Sequence, residues 1–170
     1  NEVAEAWRIA VKSIDGPVAV ILTRQNVPVL DRTAFADATE LSRGAYILRD
    51  SQNGKPDVIL IATGSETHIA IDAWQRLVQK GVGVRIVVMP SWELFDKQPE
   101  EYRHEVLPPE VKARISIEAG VTLGWERYVG SNGDMIGIDH FGASAPINVL
   151  YEKFGLTVDR VVEKAIALIG

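Results

Sequence analysis

Arg24 is the residue whose type and position most directly suggest binding chemistry. It lies in Thr23-Arg24-Gln25-Asn26, directly after the apolar run at residues 18–22. That run predicts a buried strand, and ligands in open α/β sheets bind outside the carboxyl ends of strands. The planar fork of donors on arginine suits phosphate and carboxylate oxygens. Arg24 is therefore a candidate anion-binding residue, although position alone favours a surface charge or an internal salt-bridge partner, because loop arginines are common and mostly solvated.

A second candidate is the segment at residues 61–66, where a strand leads through small residues into a helix. Free N–H groups at a helix N-terminus can bind phosphate. The segment has one glycine, fewer than a dinucleotide fingerprint or a P-loop requires, and Glu66 places a carboxylate where the phosphate would lie. We therefore predict a structural capping box, with Thr63 as the N-cap and Glu66 at the third helical position.

The histidines and their neighbours form no recognisable catalytic set. His68, His104 and His140 lack a second histidine at a zinc-like spacing. Asp139, His140 and Ser144 are too close in sequence to reach one another as a triad, and no Gly-x-Ser-x-Gly occurs. We expect exposed or core histidines and no metal site.

Three further residues lie at a predicted strand end or shortly after one. Glu118 has no clear carboxylate partner, so it does not support acid–base catalysis. Trp92 and Trp125 could either contribute to an interface or cover the core, and the sequence leaves both interpretations open.

Composition excludes several classes of function. The 170 residues are 46% hydrophobic and 24% charged, with a net charge of −5, which is ordinary usage for a globular domain and unlike a basic nucleic-acid-binding surface. The absence of cysteine excludes disulfides, thiolate metal sites and thiol catalysis, and fits a cytoplasmic protein. No apolar run approaches the length needed to span a bilayer, and no signal peptide is visible.

Strand and helix patterns alternate along most of the chain. Strand patterns occur at residues 45–49, 57–62, 84–89, 113–118 and 134–138, and helical patterns at 2–14, 64–80, 92–95, 99–106, 125–129, 146–154 and 158–169. They predict an α/β fold: a mixed, mainly parallel five-stranded sheet with helices on both faces. Asn53-Gly54 predicts a hairpin between the first two strands, which makes the first an antiparallel edge strand.

The chain divides into three predicted parts. A helix and a strand at residues 1–30 cannot bury their own apolar faces, so we assign them to the end of a preceding domain. Residues 31–44 are polar and without a clear period, which predicts a linker. Residues 45–170 form the regular domain. Because the chain begins at Asn1 within a helical pattern, we expect it to be a piece of something longer.

Taken in order, several segments resemble the carboxyl-terminal part of bacterial transketolases. They are Leu22-Thr23-Arg24-Gln25-Asn26, Ile61-Ala62-Thr63-Gly64-Ser65-Glu66, Met89-Pro90-Ser91, Phe95-Asp96-Lys97-Gln98, Tyr102-Arg103, Val106-Leu107-Pro108, Glu118-Ala119-Gly120, Phe141-Gly142-Ala143-Ser144-Ala145-Pro146 and Phe154-Gly155-Leu156-Thr157-Val158. The resemblance covers essentially the whole chain at similar spacing.

The resemblance implies a role within a larger enzyme. Transketolases are homodimers that use thiamine diphosphate and Mg²⁺ (or Ca²⁺) to transfer two-carbon ketol units between sugar phosphates in the pentose phosphate pathway. It implies that residues 1–30 end the pyrimidine-binding domain and that residues 45–170 are the third domain, which supplies no known catalytic groups. It also implies that Arg24 binds the substrate phosphate.

The resemblance carries over no catalytic, cofactor or metal residue. No Gly-Asp-Gly followed by a distant paired asparagine occurs, so these residues do not encode a thiamine-diphosphate and magnesium site. We therefore expect an inactive fragment with a structural, dimer-supporting role, and without nucleic-acid or membrane partners. The alternatives are the carboxyl-terminal part of another thiamine-diphosphate enzyme of the same layout and an independent, non-enzymatic binding module.

Overall fold

The computed structural model describes residues 1–170 and contains one five-stranded sheet. The strands are β1 (Tyr46–Arg49), β2 (Val58–Ala62), β3 (Val84–Val88), β4 (Arg114–Ile117) and β5 (Asp134–Ile136), in the order β1-β3-β2-β4-β5. All neighbouring pairs are parallel except β1 and β3, which are antiparallel. The predicted mixed sheet with one antiparallel edge strand is therefore confirmed.

The predicted hairpin between β1 and β2 is wrong, because β1 pairs with β3 instead. The Asn53-Gly54 turn does form: the Gly54 N–H donates to the Ser51 carbonyl at 3.1 Å, and Gly54 has a φ of 68°. A two-residue turn dictates hairpin pairing only when strands abut it. Here the connection runs from residue 50 to 57, so the central, fully buried β2 takes parallel partners on both sides.

Seven helices surround the sheet, and two apolar clusters pack on its faces. The helices are α1 (Glu2–Lys12), α2 (Thr67–Gln79), α3 (Trp92–Asp96), α4 (Glu100–Val106), α5 (Glu126–Val129), α6 (Ile147–Phe154) and α7 (Val158–Ile169). One cluster includes Leu77 of α2 and Val161 of α7, and the other includes Phe95, Val106 and Trp125. Burial of these two sets of side chains is the main force that holds the layers together.

The predicted strand at residues 18–22 is wrong for this structure. The segment pairs with no strand, and Ile21 keeps 93% of its surface exposed. An apolar run forms a strand only when its backbone groups bond to those of another strand, and this segment makes no such bonds. The assignment of residues 1–30 to a preceding domain stays a prediction.

The segment predicted as a linker, residues 31–44, contains regular structure. Residues Ala38–Arg43 form a 3-10 helix in which Leu41 is buried in the core, and Phe35 packs against the same cluster. A 3-10 helix has three residues per turn, which explains why no α-helical period was visible. Asp37 caps this helix by accepting the Thr39 N–H at 2.8 Å.

None of the helices combines the length and the apolar composition needed to cross a membrane.

Candidate functional site

Arg24 lies exposed in an extended segment with a bend at residues 24–25. Its guanidinium makes no hydrogen bond or salt bridge within the chain, whereas the adjacent Thr23 hydroxyl bonds to the Gln25 side chain. The interpretation of Arg24 as an internal ion-pair partner therefore fails. A free planar fork of donors in this position can bind an external oxyanion.

The carboxyl ends of β2 and β4 form the point at which the order of the sheet reverses. The chain passes from β2 to β3 on one side, and then to β4 on the other. Such a reversal leaves a crevice that commonly binds ligands in open α/β sheets. The 3-10 turn Gly64–Glu66, which follows β2, lies at this crevice.

Glu66 fills this crevice with a buried carboxylate that is only 4% exposed. Its Oε2 accepts the Ala119 N–H at 3.0 Å, its Oε1 accepts the Ser65 hydroxyl at 2.7 Å, and the Tyr151 hydroxyl also donates to Oε1. These bonds join β2, the end of β4 and α6. A carboxylate held in this way would repel a phosphate, so the crevice is closed to the ligand class that it most often binds.

The predicted capping box is wrong in its bonding. Thr63 precedes the turn but makes no side-chain capping bond, and the Glu66 carboxylate points to Ala119 and Tyr151 instead. The sequence could not show this, because Ala119 and Tyr151 lie 53 and 85 residues away. Burial, followed by the bond to Glu66, raises the pKa of Tyr151 to about 12, so this hydroxyl stays a donor at neutral pH.

Glu118 and the two tryptophans form a second connected group beside this crevice. The Trp125 indole N–H donates to Glu118 Oε2 at 2.7 Å, and the Trp125 ring is 2% exposed. Trp92 packs against it edge-on, with 5.0 Å between ring centroids. Of the two interpretations left open, Trp125 therefore belongs to the core, and Glu118 anchors it.

The histidines have unrelated surroundings. His104 lies 3.6 Å from Glu100, and His140 Nδ1 contacts the Phe141 carbonyl at 2.8 Å. The His140 ring also packs edge-on against Phe154. No group of three histidine, cysteine, aspartate or glutamate residues is arranged to hold a metal ion.

The strand order and the helices on both faces define a mixed α/β domain of the doubly wound type. The family model described as transketolase-like TK C-terminal domain matches residues 44–157. The chain therefore belongs to the transketolase C-terminal domain family.

Individual relatives match beyond the limits of that domain. The chain is 49% identical to a transketolase from Geobacillus stearothermophilus over 170 residues, which is all of this chain and 25% of that protein. It is 51% identical to a transketolase from Aquifex aeolicus over 166 residues, or 24% of that protein. The solved transketolase from Leishmania mexicana superposes on 99% of the chain with a TM-score of 0.90 and 39% identity, covering 24% of that chain. The chain thus spans about a quarter of the length of the relatives it matches.

Proposed function

We propose that these 170 residues form the carboxyl-terminal part of a transketolase, which transfers a two-carbon ketol group between sugar phosphates. The observation that carries this proposal is the 49% identity to a transketolase over the whole chain, including residues 1–43 ahead of the matched domain. The similarity at both ends favours the transketolase layout over an independent binding module.

The thiamine diphosphate and the divalent metal of such an enzyme do not fit the residues of this chain. No group of three potential ligands converges, and the buried carboxylate of Glu66 is engaged by Ser65, Ala119 and Tyr151. We therefore assign no catalytic, cofactor or metal residue here. The cofactors, and the dimer that the family implies, would depend on residues outside this chain, and its own role would be structural. The cytoplasm is the proposed location.

Arg24 is the exception to this structural role. Its exposed guanidinium has no partner within the chain and is free to donate charge-assisted hydrogen bonds to a sugar phosphate. Such bonds contribute about 1.5–3 kcal/mol each when one partner is ionised. Arg24 would therefore favour phosphorylated substrates and would not take part in bond making.

The proposal is tested by assaying the full-length protein that contains these residues. With thiamine diphosphate and Mg²⁺ it should convert a ketose phosphate and an aldose phosphate into the products of two-carbon transfer. Calorimetry on the 170-residue chain alone should show no magnesium-dependent binding of thiamine diphosphate. Tight binding by the chain alone would contradict the assignment, and a different reaction with the same cofactor would favour the other thiamine-diphosphate enzymes.

A further inference from the structure

A groove between α3, α4 and α5 carries an unusual concentration of arginine. Its volume is about 280 Å³, and Arg103, Arg114 and Arg127 line it together with Tyr128. The groove lies beside the amino end of β4, where Arg114 is the first residue. It is therefore separate from the carboxyl-end crevice that Glu66 fills.

Arg114 forms a rigid cationic wall of this groove. Its Nε donates to the Val111 carbonyl at 2.9 Å, and its Nη1 donates to the Tyr128 carbonyl at 2.8 Å. Its Nη2 donates to the carbonyls of Leu107, at 3.2 Å, and Pro108, at 2.8 Å. All four acceptors are neutral peptide oxygens, and no carboxylate forms a salt bridge with it. Burial lowers the pKa of Arg114 below its usual value, and the charge of Glu110 opposes this only in part, so an anion in the groove would offset more of the cost of burying the charge.

Arg103 supplies a second cation that nothing in the chain neutralises. Its side chain makes no hydrogen bond and no salt bridge, and its Nε is buried without a partner. Buried donors of this kind are rarely left unsatisfied. The Nε itself is too deeply buried to meet a ligand, so the Nη groups, which also make no bond within the chain, are the donors of Arg103 that can reach an occupant of the groove.

The acidic residues of the groove do not cancel this charge. Asp96 already accepts from Arg127 Nη2 at 2.6 Å and from the Tyr128 hydroxyl at 3.1 Å. Glu100 keeps 74% of its side chain exposed and lies nearest to His104, at 3.6 Å. Arg103 and Arg114 thus form no salt bridge in this groove, and Glu110 acts on Arg114 only through its charge.

We propose that this groove binds a phosphate-type oxyanion, with the Nη groups of Arg103 and the one remaining Nη1 N–H of Arg114 donating to its oxygens and Arg127 at its rim. The forked Nη donors of Arg103 match the oxygens of phosphate, and two guanidinium groups without a salt bridge favour a doubly charged anion over a single carboxylate. The site is distinct from Arg24 and takes no part in the proposed phosphate contact there.

The test is a titration of the ¹⁵N-labelled 170-residue chain with inorganic phosphate at constant ionic strength, followed through the arginine Nε–Hε resonances. The Arg103 and Arg114 signals should move together with a common Kd. Arg103→Gln should raise that Kd, read at Arg114, by about tenfold or more. Because the Arg103 side chain forms no bond within the chain, this change should leave the fold intact.

Two matched variants distinguish the groove from other cationic positions. Arg24→Gln, in the exposed segment, and Arg160→Gln, on the exposed face of α7, should leave the Kd of the groove unchanged. The proposal is overturned if Arg103 and Arg114 signals do not move, or if the Arg160 signal moves equally. It is also overturned if acetate shifts them as strongly as phosphate does, or if Arg103→Gln changes the Kd by less than about twofold.

Discussion

Removing the Glu66 carboxylate should destabilise the junction of β2, β4 and α6. In Glu66→Ala, the Ala119 N–H loses an acceptor that now lies at 3.0 Å, while the Tyr151 hydroxyl can still bond to Ser65 Oγ, at 3.3 Å. Hydrogen bonds to a charged group contribute about 1.5–3 kcal/mol each. Relief of the buried charge offsets part of that loss, so we expect the free energy of unfolding to fall by about 2–3 kcal/mol.

Urea unfolding followed by far-ultraviolet circular dichroism measures this change, and calorimetry should show a Tm lower by roughly 5–10 °C. Tyr151→Phe removes one of the three donors and should cost about 1 kcal/mol. Glu163→Ala is the matched control, because Glu163 keeps 70% of its side chain exposed and should change stability by less than about 0.5 kcal/mol. A Glu66→Ala variant as stable as this control would refute the assigned role of Glu66.

Two further predictions concern backbone geometry and pH. Gly44 has a φ of 84°, and an added Cβ would lie 2.2 Å from the Phe95 backbone nitrogen. Gly44→Ala should therefore lower the free energy of unfolding, measured by urea titration, by at least about 3 kcal/mol. Gly54, at a φ of 68° but in open space, provides the control, and Gly54→Ala should cost only about 1 kcal/mol; equal losses would contradict the steric argument. Burial raises the pKa of all four tyrosines, to about 12 for Tyr128 and Tyr151 and in the same direction for Tyr46 and Tyr102. The folded chain holds these protons more tightly than the unfolded chain does. The contribution of the tyrosines to the free energy of unfolding should therefore be fully present below about pH 10 and should fall as the pH rises towards 12. Ultraviolet absorbance of tyrosinate should show a higher titration midpoint in buffer than in urea, and coincident curves would contradict the prediction.

The fold could be predicted largely because its central strands carry local signals. The apolar runs of β2 and β3 and the apolar stripe of α7 identified two strands and a helix directly, with ends that differ by at most one residue. Strand pairing could not be predicted from local patterns. β1 pairs with β3, with Tyr46 opposite Val88, and no sequence pattern specifies a pairing between residues so far apart in the chain. The strand predicted at residues 18–22 shows the same limit, because an apolar run becomes a strand only where its backbone groups bond to those of a neighbouring strand.

The candidate sites divide in the same way. Arg24 was proposed from its place after the apolar run at residues 18–22, and the resemblance to transketolases gave it a role. That run forms no strand in this structure, and the binding role of Arg24 stays a prediction. The bonds of Glu66 could not be predicted, because Tyr151 lies 85 residues away in the chain. The sequence of α6, which contains Tyr151, shows only the apolar spacing of a helix that packs on the sheet. The groove with Arg103 and Arg114 was missed for a related reason, since cations on α4 and β4 meet only after the sheet forms.

The most direct measurement of the central claim is the steady-state kinetics of the full-length enzyme carrying Arg24→Ala. The account predicts a KM for phosphorylated acceptors higher by about 10- to 100-fold, with an unchanged KM for unphosphorylated sugars, because only the phosphate contact is lost. Arg160→Ala is the matched control and should alter neither value. An equal effect of Arg24→Ala on both kinds of acceptor, or no effect on either, would contradict the claim that Arg24 binds the substrate phosphate.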